Sequence, residues 1–106
     1  MRDAGGPVHR ADLKLLMIIV ESEYKEELEV LLDRHEIFGY TEIPDVHGRG
    51  STGLRMGSRA FPKTSSVVFS VIPAASVEPL VDDIKRYCEA CMKRMKMMVW
   101  GVEQVI

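Results

Sequence analysis

No apolar run in this 106-residue chain is longer than the six residues Leu15 to Val20. A membrane-spanning helix needs about 20, so the chain is not expected to be membrane-embedded. Residues 1–12, MRDAGGPVHRAD, hold no apolar stretch of the kind a secretory leader uses. Cysteine is scarce: two residues, Cys88 and Cys91, make no disulfide framework. A cytoplasmic location is the expectation from these absences. Neither sign of charge dominates, with 14 Lys and Arg against 16 Asp and Glu for a net charge of −2. Dedicated DNA and RNA binders usually carry a basic excess, so nucleic acid is not an expected partner. The motifs G-x-S-x-G, H-E-x-x-H and G-x-x-x-x-G-K-[ST] are all missing. Without a nucleophile–base constellation, no enzyme is expected.

What is present suits one ordinary globular domain, with 46% hydrophobic and 28% charged residues. So small a domain buries only roughly 60–70% of its unfolded surface, which favours association. Residues 1–12, with Gly5, Gly6 and Pro7, read as a flexible tail. LKLLMIIV (13–20) and SVVFSVI (66–72) are short and nearly all apolar, as central strands are. IFGYTEIPDV (37–46) reads as a strand whose Pro44 confines it to an edge. MMVWGVEQVI (97–106) reads as a fourth strand. A helix capped at Ser22 carries Tyr24, Leu28, Leu31, Leu32 and His35 at helical spacing. A second helix, capped at Ser76, carries Val77, Leu80, Val81, Ile84, Cys88, Cys91, Met92 and Met95.

The order β-α-β-β-α-β predicts an α+β ferredoxin-like fold: an antiparallel four-stranded sheet with two helices on one face. Right-handed crossovers place the first and third strands in the middle. The second face of the sheet is then apolar and uncovered, which predicts a homo-oligomer packed through its sheets.

Residues 47–64, HGRGSTGLRMGSRAFPKT, form a long loop between two strands. Loops of this length inside a compact domain are uncommon and often functional. Gly48, Gly50, Gly53 and Gly57 let a ligand approach the backbone. Arg49, Arg55, Arg59 and Lys63 supply cations, with no acidic residue among them. Arginine forks suit phosphate and carboxylate, so the loop is a candidate site for a small anionic effector. A second basic cluster, Lys85, Arg86, Lys93, Arg94 and Lys96, surrounds the end of the second helix. The acidic residues from Glu21 to Glu36 read as a solvated helix face. Metal ligation has weak candidates in His47, Cys88 and Cys91. A structural zinc site needs four ligands, and the helical stripe makes both cysteines ordinary small hydrophobes.

Gly39-Tyr40-Thr41, followed by Val46-His47-Gly48-Arg49-Gly50 at the mouth of the loop, resembles the PII signal-transduction superfamily, in particular its divergent PII-like members. The resemblance spans residues 13–106 as a single domain. It implies cytoplasmic homotrimers of ferredoxin-like subunits, with adenine nucleotides bound between subunits. Loop 47–64 would correspond to the T-loop, which docks onto a protein target such as a transporter or enzyme. Thr41, Gly48 and Gly50 match positions at the nucleotide cleft. Arg49 stands where the family usually has an aromatic residue. Ser51 and Thr52 replace the glutamine that helps hold magnesium and 2-oxoglutarate, and the glycine-rich B-loop gives way to Glu89–Lys96. Lys93, Arg94 and Lys96 would stand in for the lost B-loop lysine. ADP, AMP or another small anion is therefore expected rather than ATP. The binding set is Thr41, Gly48, Arg49, Gly50, Arg55, Arg59, Lys93, Arg94 and Lys96. The alternative is a trimeric metal-binding or divalent-cation-tolerance-type protein, which shares this fold.

Overall fold

LKLLMIIV forms the body of the longest strand, β1 (Arg10–Glu21), in a computed structural model that describes residues 10–50, 53–59, 63–87 and 89–106. Next come α1 (Lys25–Arg34), β2 (Thr41–Val46), β3 (Gly48–Gly50), β4 (Gly53–Arg55), β5 (Ser65–Pro73), α2 (Val77–Tyr87), α3 (Glu89–Lys93) and β6 (Met95–Gln104). The main sheet has the order β2-β5-β1-β6 and is antiparallel throughout. The two apolar strands are central, as predicted, because a strand paired on both edges exposes least backbone. Pro44 lies on edge strand β2, where the register shifts between Ile43 and Val46. An edge bulge is where a residue without an N–H does least harm.

Residues in register share a face. Glu42, Val68, Ile18 and Met97 form one row on the helix side; Ser66, Val20 and Met95 form another. Leu16, Ile18, Val20, Val68 and Ile72 pack there against Leu28, Leu31, Leu32, Leu80 and Ile84. Burying a side chain of this kind contributes roughly 1.5–3 kcal/mol, so these two helical stripes hold the layers together. His35, just past α1, donates its Nε2–H to the Asp83 carboxylate at 2.7 Å and ties α1 to α2.

The other face has no helix. Its rows are Ile43, Val67, Ile19 and Lys96, then Thr41, Phe69, Met17 and Met98, then Val71, Leu15 and Trp100. Ile43, Val71 and Trp100 are each 47% exposed. This is a continuous apolar surface larger than scattered side chains would give.

Several boundaries differ from the sequence-based expectations. β1 begins at Arg10, so residues 10–12 of the expected tail are strand; residues 1–9 lie outside the described residues. Loop 47–64 contains a hairpin, β3–β4, in which Gly48 faces Arg55 and Gly50 faces Gly53. The long second helix is two, α2 and α3, and Met95 belongs to β6. Ser22 caps no helix: its hydroxyl goes to the Thr64 hydroxyl at 2.8 Å. Ser76 closes a single 3-10 turn, Ala74–Ser76, ahead of α2.

Candidate functional site

Glu21 ends β1 and is 5% exposed although it follows an apolar run and opens an acidic segment. A buried carboxylate needs compensation, and two arginines provide it. Arg55 of β4, 6% exposed, brings Nη2 to 2.7 Å from Glu21 Oε1. Arg94, in the turn between α3 and β6, brings Nη1 to 3.6 Å from Oε2. The Glu21 backbone N–H also donates to the Arg94 carbonyl at 2.9 Å. The arginine of the hairpin is therefore an anchor to the sheet, not an open anion ligand beside Arg49 and Arg59.

Around this cluster lies a cleft of about 260 Å³ lined by Ile19, Glu21, Ser65, Met92, Lys93, Arg94, Met95 and Lys96. Three cations face one carboxylate, and that carboxylate is already shared with Arg55. A phosphate or carboxylate entering the cleft meets net positive charge near low-dielectric walls, which strengthens attraction. Lys96 sits in the same row as Ile19 on the uncovered sheet face, so the cleft opens at the margin of that face. A second hollow of about 260 Å³ adjoins it at Met92 and Met95. Its walls are Val81, Ile84, Met97 and Val99, with Lys85 at the rim. Methionine adapts to flat rings and irregular shapes. The two hollows together suit a molecule with an apolar, planar part and an anionic part.

The expected binding residues do not all converge. Lys93, Arg94 and Lys96 do, and Arg55 joins them through Glu21. Gly48, Arg49 and Gly50 form one arm of the hairpin, with Arg49 exposed opposite Leu54. Arg59 is exposed beyond it. Thr41 lies on the uncovered face beside Tyr40, Phe69 and Val71, in a separate hollow of about 410 Å³. That hollow and the cationic cleft both border the uncovered sheet face.

The base of the loop is fastened by hydroxyls. Thr64 donates to Asp45 at 3.2 Å and accepts from Ser22, while the Ser22 N–H donates to the Thr64 carbonyl at 3.0 Å. Lys63 reaches Glu23 at 3.2 Å. Asp45 has φ +55°, a left-handed conformation that aspartate tolerates better than most residues.

His47 lies against Gly57, whose φ is +65° and where an added Cβ would stand 2.8 Å from His47 Nε2. Cys88 lies outside the described residues, as does the Cys91 side chain. Among the described residues no three His, Cys, Asp or Glu side chains gather so as to hold a metal ion. No helix among them is long and apolar enough to cross a membrane.

A second polar group lies across the helix side. Lys25 pairs with Glu42 at 2.9 Å, which raises the lysine pKa through the hydrogen bond and the charge. Burial first, then the Glu42 charge, raises the Glu29 carboxyl. Burial and then Glu29 raise the Tyr40 phenol. Burial, and then the crowding of acidic groups around one lysine, raise the Glu29 and Tyr40 values, and these groups do not line the cationic cleft.

Sequence reasoning missed Glu21. It counted as the first residue of a solvated acidic helix, yet it directly continues the strand alternation of Met17 and Ile19.

Comparison with known proteins gives a consistent picture. The family model described as nitrogen regulatory protein P-II matches residues 13–106. A search of the curated proteins finds no match. Among solved structures, CPII from Thiomonas intermedia, a nitrogen regulatory PII-like protein bound to ADP and bicarbonate, is 29% identical with a TM-score of 0.73, covering 89% of each chain. The same protein bound to ADP, AMP and bicarbonate is 28% identical with a TM-score of 0.71, covering 87% of this chain and 93% of that one. Arabidopsis thaliana PII bound to citrate has a TM-score of 0.63 at 18% identity, covering 87% of this chain and 78% of that one, which speaks for the fold alone.

Proposed function

The chain belongs to the nitrogen regulatory protein P-II family, and from that premise we propose that it is a ligand-sensing regulator that binds ADP or AMP. The observation that carries this reading is the paired hollow at Met92 and Met95. One half is apolar and methionine-lined, as a purine requires. The other holds Lys93, Arg94 and Lys96, as a phosphate requires. The nucleotides in the Thiomonas intermedia structures support the same ligand class.

The protein acts as a homotrimer joined through its uncovered sheet face. Lys96 stands in a row of that face, which supports a ligand held between subunits, with Thr41 and Gly48–Gly50 contributed at the same boundary. Arg49 and Arg59, exposed on loop 47–64, meet the ligand or a protein target such as a transporter or enzyme. Ligand binding changes the state of this loop and hence the fit to the target, because a ligand shifts an equilibrium only by its unequal affinity for two states. The chain performs no catalysis of its own in this reading, and its place of action is the cytoplasm.

Calorimetric titration of ADP into the wild type and a Lys93→Gln/Lys96→Gln variant tests the ligand. Removing two charge-assisted contacts weakens binding by ~10-fold or more. Unchanged affinity overturns the cleft as the phosphate site. Near-stoichiometric copper or zinc in untagged protein, with no nucleotide binding, would instead favour a metal-binding function.

A further inference from the structure

Glu21 serves two parts of the molecule with one carboxylate. Oε1 holds the hairpin through Arg55 at 2.7 Å, and Oε2 reaches Arg94 of the cationic cleft at 3.6 Å. The two contacts are unequal. The Arg55 side chain is 8% exposed and its contact is short. The Arg94 side chain is 39% exposed and its contact is long. Arg94 is thus the partner that an incoming anion can draw away.

We infer that Glu21 is a positioning residue that couples occupancy of the cleft to the anchoring of hairpin β3–β4. This rests on the reading of the cleft as an anion site. When an anion engages Arg94, Glu21 keeps its short contact with Arg55. The mutual repulsion of two guanidiniums around one carboxylate is relieved, and the buried pair tightens. β4 is then held more firmly to the end of β1, and β3 with it, since Arg55 faces Gly48. Coupling is reciprocal: a firmly held hairpin raises anion affinity by the same factor, ~5-fold or more. The signal crosses from cleft to loop over one side chain.

Hydrogen exchange of the β3 and β4 amides in the full chain tests this, with and without ADP. Without ligand, Arg94→Gln removes the competing cation and slows hairpin exchange by ~3-fold or more; unchanged or faster exchange overturns the coupling. Arg94 is half-exposed, so this variant keeps the core intact. Glu21→Gln speeds hairpin exchange, and ADP then binds without slowing it; retained protection by ADP overturns the coupling. In the wild type, ADP slows the hairpin. Binding of ADP with no effect on the hairpin overturns the coupling and leaves the ligand reading standing. Failure of ADP to bind overturns the ligand reading, while the ligand-free Arg94→Gln comparison decides the coupling by itself.

Discussion

Replacing Arg55 by methionine removes the cation from the Glu21 pair and keeps most of the buried stem. Both side chains are nearly inaccessible, at 8% and 7%, and their charged atoms are 2.7 Å apart. Removing one partner of such a pair costs about 3–5 kcal/mol, because the remaining charge stays buried. Arg94, at 3.6 Å and 39% exposed, can move in and offset part of this. The expected loss is therefore ~2–3 kcal/mol. In urea that lowers the midpoint by ~2 M, and on heating it lowers Tm by ~10–20 °C. Both are measured at one fixed protein concentration, since assembly adds to apparent stability. A Glu21→Leu/Arg55→Met variant recovers most of the loss, because apolar residues can replace a buried pair at little cost. A loss below ~0.5 kcal/mol for Arg55→Met, the size expected of a solvated pair, would refute the reasoning.

Phe69→Asp places a charge in the middle of the uncovered face, in the row with Thr41, Met17 and Met98. It should give a folded monomer by sedimentation velocity, and an intact oligomer would count against that face as the interface. Glu29→Gln tests the crowded carboxylates on the helix side. The folded-state pKa of Glu29 is raised above its ordinary 4.5, so its contribution to stability is present below that value and lost as pH rises through the folded pKa. The variant should therefore be more stable than wild type at pH 7, with the advantage fading as pH falls through the raised folded-state pKa and gone below the ordinary 4.5; an advantage that persists in acid would contradict the assignment. Arg49→Ala should weaken ADP binding or target docking while leaving thermal stability within ~0.5 kcal/mol, as expected for an exposed side chain.

The arrangement of the main sheet was legible because its two central runs are nearly all apolar and its edge strand carries a proline. Leu13–Val20 and Ser66–Ile72 could only be central, and Pro44 could only be at an edge. The uncovered face followed from counting two helices against a sheet with two apolar sides. The hairpin in loop 47–64 was not legible, since β3 and β4 are three residues each and mostly glycine and arginine, with no periodicity to read. The break between α2 and α3 was hidden because the apolar stripe runs on through both. Within the site, Lys93, Arg94 and Lys96 were visible as a basic cluster. Arg55 was read as one more loop cation because burial depends on where its partner lies. That partner, Glu21, is 34 positions away in sequence, and only the folding of the hairpin back onto the end of β1 brings the two together.

Native mass spectrometry of untagged protein, with equimolar ATP, ADP and AMP added, reads the subunit count and the bound nucleotide together. The expected species is a trimer carrying up to three copies of ADP or AMP in preference to ATP. A monomer that retains no nucleotide would contradict this expectation.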